Sequence, residues 1–187
     1  MELLEAMRLR RAVREYLPEA IEEATIRVLI DAAIQAPSAM NRQDWLFVIV
    51  SDRERLASIA ARAKAFMLAR LEADDGPEEA RSMLAAPDFD IFYGAPVLAA
   101  IYADNPDPMA EQDVCLAAQN LMLAARALGI GTCWIGFATA WLNQPQAKRE
   151  LGAPRRAKAV APIILGRPTV WPPARGRRDP DIRWLRG

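Results

Sequence analysis

The chain has 187 residues, 52% of them hydrophobic, and its 24 Lys+Arg balance 24 Asp+Glu. A domain of this length buries on the order of two-thirds of its unfolded surface, and zero formal charge argues against a general polyanion binder such as a nucleic-acid protein. The absence of histidine excludes histidine bases, triads and metal ligands, and two cysteines without zinc spacing give neither a disulfide framework nor a metal site.

The first residues, MELLEAMRLRRAVREY, carry acids early and lack a long apolar run, so they do not read as a signal peptide. No stretch reaches the roughly 20 apolar residues of a membrane span, so a soluble, cytoplasmic protein is expected. Residues 2–10 read as a short helix, followed by the basic segment Arg10, Arg11 and Arg14. Ile26, Leu29, Ile30, Ala33 and Ile34 recur at helical spacing and predict a helix over 22–35, which Pro37 ends. Residues 36–43 read as a loop, and the apolar run 45–50 as a buried strand. Asp52 can cap a helix running to about Leu71, and Asp74-Asp75-Gly76-Pro77 breaks it. A weaker helix is expected over 78–85 and a strand over 96–103. Residues 111–128 form a helix apolar nearly all round, which predicts burial in a core or interface, and Gly129 stops it. Strands are expected over 131–135 and 158–165, Pro162 suggesting an edge or a bulge in the second.

From Gly166 the chain turns Pro- and Arg-rich, with arginines at 167, 175, 177, 178, 183 and 186. Such a segment is disordered or an arm, and Trp171, Ile182, Trp184 and Leu185 favour the arm. Asp179 and Asp181 partly offset the arginines, which disfavours a nucleic-acid arm. Helices and strands without βαβ alternation point to an α+β fold. The expected organisation is a domain over 1–165, with 166–187 an arm of the same domain.

Three segments can carry chemistry. Arg10-Arg11-x-x-Arg14 is either a solvated basic face or a clamp whose paired guanidinium donors suit a phosphate. Pro37-Ser38-Ala39-Met40-Asn41-Arg42-Gln43 is either a turn or a ligand loop offering neutral donors and acceptors. Gly129 to Gly136 is either an ordinary turn and strand or a backbone that approaches a flat ligand closely. No dinucleotide fingerprint or Walker motif is present. Cys115 and Cys133 read as structural, and the five tryptophans mainly as core or interface anchors.

The order of these segments is more specific than any one of them. Arg-Arg-x-x-Arg-x-Tyr, then Ala-Pro-Ser-x-x-Asn-x-Gln-x-Trp, Tyr93-Gly94-Ala95-Pro96-Val97, Asp113, Ala117 to Leu121, Ala127 to Gly136, Ile164 to Pro168 and Arg178-Asp179-Pro180 together resemble the nitroreductase family over nearly the whole chain. The resemblance implies a three-layer fold with a central, mostly antiparallel sheet flanked by helices. It implies a homodimer with a C-terminal arm crossing between subunits and FMN at the interface. It also implies an oxidoreductase in which NADH or NADPH and then a nitroaromatic, quinone or similar acceptor react in two half-reactions. Arg10, Arg11 and Arg14 resemble the family's FMN-phosphate and ribityl site, with Arg178 the best match to a late arginine and Arg175 a possible helper. Pro37, Ser38, Ala39, Met40, Asn41 and Gln43 resemble the segment that reaches the flavin across the dimer, and the backbone of Ile135 and Gly136 the strand lining its ring. The sequence departs from the family at Ala12 (often Ser), Asp44 (usually Pro) and Ile135 (an acid in some members), and 64–87 has no match. A non-catalytic flavin module, or a dehydrogenase or dehalogenase on the same fold, stays open as an alternative.

Overall fold

The computed structural model describes residues 1–185. Helices α1 (Leu3–Leu9) and α2 (Glu23–Ala33) precede strand β1 (Trp45–Val50). Then come α3 (Arg53–Ala73), α4 (Glu78–Ala85), β2 (Val97–Ala103), α5 (Pro108–Ala127) and β3 (Gly131–Trp134). Two short helices, α6 (Gly136–Leu142) and α7 (Pro145–Glu150), lead to β4 (Lys158–Gly166). The strands form one antiparallel sheet in the order β1-β2-β4-β3.

Period-two alternation along the central strands divides the core into two faces. Leu98, Ala100, Tyr102 and Ile164 face α3 and α6, while Val97, Ala99, Ile101, Ile163 and Leu165 face α2 and α5. Every residue of β2 is buried, as its unbroken apolar run requires. The result is the expected helix–sheet–helix arrangement of an α+β fold.

Several boundaries follow capping chemistry. The Asp52 carboxylate accepts a hydrogen bond from the Arg55 amide at 2.8 Å, starting α3 as expected. Asp107 does the same for the Ala110 amide at 2.8 Å, with Pro108 in the first turn, so α5 begins three residues before the apolar pattern suggests. Cys115 lies on the exposed side of α5 rather than in its buried stripe.

Pro162 does not mark an edge: β4 is an interior strand between β2 and β3. Its carbonyl accepts from the Ile135 amide at 2.8 Å, just past the end of β3, so the missing proline N–H faces a position where that short strand has stopped. The expected bulge agrees with a register shift two residues away: Ile101 pairs with Ala161 and Tyr102 with Ala159, which leaves Val160 of β4 unpaired.

The segment after Gly166 has no helix or regular strand among its described residues and is fastened near its start. The Leu17 amide donates to Arg167 at 2.8 Å, the Thr169 amide to Glu15 at 3.2 Å, and the Arg126 guanidinium lies 3.6 Å from the Trp171 ring centre. Arg186 lies outside the described residues.

Candidate active site

The basic segment is placed by the free edge of β3. Val13 is fully buried, and its amide donates to the Thr132 carbonyl at 2.9 Å beside a parallel bridge between Ala12 and Thr132. Gly131 permits this approach, because a Cβ there would sit 2.8 Å from the Val13 side chain. The Tyr16 hydroxyl donates to the Val13 carbonyl at 2.7 Å, and burial pushes its pKa far above the usual phenol value. Extended backbone alternates its side chains, so anchoring Val13 turns Arg14 outward.

Arg10, Arg11 and Arg14 thereby meet the C-terminal segment. Together with Pro172, Pro173, Arg175 and Arg177 they line a cleft of about 240 Å³. None of these five arginines makes an ion pair with a carboxylate among the described residues. Arg11 is largely occupied: Nη1 donates to the carbonyls of Arg8 and Arg10 at 2.7 Å each, and Nε to Pro173 at 3.3 Å. It clips the C-terminal segment to the end of α1. Arg10 and Arg14 carry no such bonds, and the Arg14 guanidinium lies 5.8 Å from the Tyr93 ring centre. Arg178 is exposed and does not line the cleft, whereas its neighbour Arg177 does. Sequence alone had no way to choose between adjacent arginines in a segment without periodicity.

A second hollow, about 280 Å³, adjoins the first, with Arg14 lining both. Its other walls are Met67, Ile91, Tyr93, Phe137 and the run Cys133 to Gly136. Burial raises the Cys133 thiol pKa, which nearby Arg14 and Arg10 only partly oppose, so the group stays protonated at neutral pH. The Ile135 amide is taken by the Pro162 carbonyl. Gly136 opens α6, and a Cβ there would meet nothing within 4 Å, so its backbone faces open space. Met67, Tyr93 and Phe137 are wall residues that sequence reasoning missed. Met67 comes from α3, one chain segment away from every motif, and carries no local signal.

The loop over 37–43 is built but lies elsewhere. The Asp113 carboxylate accepts from the Ala39 amide at 3.0 and 3.2 Å, and the Ser38 hydroxyl accepts from the Gln43 amide at 3.1 Å. The Gln43 side-chain amide donates to Asn41 at 2.9 Å, and Met40, Asn41 and Gln43 all have left-handed backbone. Such conformations persist only where the surroundings hold them. Arg42 joins Asp44 at 3.1 Å and Asp107 at 2.8 Å, bracing the loop from outside. Pro37, Ser38, Ala39, Met40, Asn41 and Gln43 line neither hollow of their own chain, and Met40 is 92% exposed.

A wider cleft of about 840 Å³ continues from the second hollow, sharing Met67 and Gly136 with it. Arg70, Lys148, Arg156 and Lys158 line it, with Asp74 the sole acid among its lining residues.

Comparison with known proteins agrees with this arrangement. A putative NADH dehydrogenase/NAD(P)H nitroreductase of Methanothermobacter thermautotrophicus is 39% identical over 59 residues, 32% of this chain and 31% of that protein. An NADH dehydrogenase of Thermus thermophilus is 32% identical over 104 residues, 56% of this chain and 40% of that protein. The matched stretches thus span less than half the length of these curated relatives. A crystal structure of a nitroreductase with bound FMN from Bacteroides fragilis is 25% identical, with a TM-score of 0.86 and 100% of both chains covered. The model of the nitroreductase family matches residues 7–167, and the chain belongs to that family.

Proposed function

We propose that this chain is an FMN-dependent oxidoreductase that uses NADH or NADPH to reduce nitroaromatic, quinone or similar acceptors. The observation that carries this reading is the arginine cleft without carboxylates, joined through Arg14 to a hollow walled by Tyr93, Trp134, Phe137 and backbone. A flat ring with a phosphate tail has this shape and this charge distribution. The fit is supported by the FMN bound in the Bacteroides fragilis protein and by the nicotinamide-linked names of the relatives.

Bound FMN would supply the redox chemistry, taking a hydride from the nicotinamide and returning two electrons to the acceptor. The protein's own groups hold and orient. Arg10, Arg14, Arg175 and Arg177 neutralise the phosphate, where charge-assisted bonds are strongest. Arg14 stands at the junction between tail and ring. Met67, Trp134 and Phe137 would shield a bound ring from water, and the open Gly136 backbone would admit it closely. The protonated Cys133 is packing rather than a nucleophile, and no side-chain base is required.

The loop over 37–43 completes the site from a second copy. Its left-handed, braced shape is rigid enough to be inserted, and Met40 has nothing to cover it in its own chain. Leu3, Leu4 and Met7 of α1, Val28 of α2 and Leu116 of α5 are large apolar side chains left exposed, consistent with a homodimer. The segment from 166 then acts as an arm of the 1–165 domain. Two free cysteines suit a reducing cytoplasm, and among the described residues no helix is long and apolar enough to cross a membrane.

Purified protein should be yellow, elute as a dimer, bleach with NADH or NADPH under anaerobic conditions, and regain colour with a nitroaromatic or quinone. Colourless protein that cannot be reconstituted with FMN overturns the proposal.

A further inference from the structure

The wide cleft between α3, α6 and the start of β4 has no part in holding a resident ring and phosphate, yet it opens onto the same shelf. We infer that it is the seat of the pyrophosphate of the nicotinamide dinucleotide, a reading that rests on the proposed function. Two observations place it there. Met67 and Gly136 line both the ring hollow and the wide cleft, so a ligand stacked at the first can extend directly into the second. The cleft's lining carries Arg70, Lys148, Arg156 and Lys158 against Asp74, an excess of cations in a chain whose formal net charge is zero.

The way these cations are held suits a ligand that comes and goes. Arg156 meets Asp104 at 2.8 Å and Lys158 meets Glu111 at 2.7 Å. Lys148 donates to the Arg155 carbonyl at 3.1 Å and has no carboxylate partner among the described residues, and Arg70 reaches Asp74 only at 3.5 Å. Lys148 and Arg70 therefore have donors to offer a pyrophosphate. At about 840 Å³ the cleft is larger than a single-ring acceptor needs, and its polar walls are wrong for one. They are right for ribose hydroxyls and phosphates. Arg70 belongs to the 64–87 segment, in which the sequence alone offers no motif.

The test uses the Arg70→Gln/Lys148→Gln protein loaded with FMN. Its KM for NADH or NADPH should rise roughly three- to thirtyfold, the range for losing two partly screened charge contacts. KM for 1-benzyl-1,4-dihydronicotinamide, a neutral donor without phosphates, should not move. Calorimetric affinity for ADP should fall by a similar factor, and added salt should weaken ADP binding to wild type more than to the variant. Equal ADP affinity in the two proteins, equal effects on the neutral donor, or a change confined to an anionic acceptor such as 4-nitrobenzoate overturns the inference. Should the protein hold no flavin, the proposed function fails by itself. ADP titration in an Arg10→Ala/Arg14→Ala background then still reads the wide cleft, because the narrow one is silenced.

Discussion

The narrow arginine cleft and the wide cleft beyond the ring hollow are both cationic, but they carry their charge differently. In the wide cleft, Arg156 and Lys158 each face a carboxylate within 2.8 Å. In the narrow cleft, Arg10, Arg14, Arg175 and Arg177 face none among the described residues; Arg11 is tied down by backbone carbonyls, and Arg177 donates more weakly to the Arg175 and Gly176 carbonyls at 3.4 Å each. Gathering like charges without counterions opposes folding, and a bound anion relieves that repulsion. The narrow cleft is therefore the one whose charge an anion would relieve most, which is what the proposed resident phosphate needs. The wide cleft keeps an excess of cations, but Arg156 and Lys158 already have carboxylate partners, so its repulsion without a ligand is smaller.

The sharpest way to break this contrast is Arg14→Ala. Arg14 lines both the narrow cleft and the adjoining hollow and, among the described residues, has no hydrogen-bond or ion-pair partner, only the Tyr93 ring. Its loss should weaken FMN binding by about 1.5–3 kcal/mol, the scale of a hydrogen bond to a charged group. It should also shrink the rise in melting temperature on adding FMN. Fluorescence titration of the apoprotein measures the first effect. Unchanged affinity would mean that the bare guanidiniums are a solvated face and the contrast between the clefts is accidental.

A smaller effect is expected when the scaffold beneath the arginines is disturbed. Gly131→Ala places a Cβ at 2.8–2.9 Å from three atoms of the Val13 side chain, which is fully buried and cannot swing away. Overpacking of this kind costs about 1–3 kcal/mol. The strip from Arg10 to Tyr16 should lift from the β3 edge, so FMN affinity falls together with stability. KM for the neutral nicotinamide donor, once flavin is saturating, should stay near wild type. Denaturant melts paired with flavin titration separate the two readouts, and a variant stable and tight-binding as wild type would show that the strip is not held by Val13.

Much of this arrangement was legible in the sequence, and the rest fails for identifiable reasons. Strands β2 and β4 announce themselves as apolar runs because both faces of the sheet are covered there; β1 is equally apolar, but as an edge strand it is buried only at Val50 and half-buried elsewhere. Helices α6 and α7 were missed: at seven and six residues they complete too few turns for a periodic stripe. Capping by Asp107 and Pro108 moved the start of α5, since a cap acts through one side chain rather than through periodicity. Local motifs pick out the Arg10 to Arg14 cluster and the Ile135–Gly136 backbone, which the structure brings to two adjoining hollows. That Met67 and Arg177 line these hollows while Arg178 does not could not be read locally, because it depends on where distant segments meet. Of the two readings that Pro162 offered, the edge fails, because nothing local tells that β3 stops one residue short of it, while the bulge agrees with the register shift at Val160.

The smallest expected effect tests the wall that gives the wide cleft its shape. Arg62 on α3 grips Glu150 on α7 with two bonds of 2.6 and 2.7 Å, its guanidinium 4.9 Å from the Trp141 ring centre. This pair joins the two helices that supply Arg70 and Lys148. The hydrogen bonds from Arg62 hold the Glu150 carboxyl below its ordinary value of 4.5. A carboxyl depressed in the folded state stabilises fully above its unfolded pKa and loses that contribution as pH falls through the folded one. Both side chains are about a third exposed, so solvent screening limits the pair to about 0.2–1 kcal/mol. Glu150→Gln should be less stable than wild type by that amount at neutral pH. The two melting curves should converge as pH falls below the ordinary carboxyl value and through the depressed folded one, where the wild-type carboxyl also becomes neutral. A gap that stays constant with pH would assign the effect to packing around Trp141 rather than to charge, leaving the wide cleft's frame held by apolar contact alone.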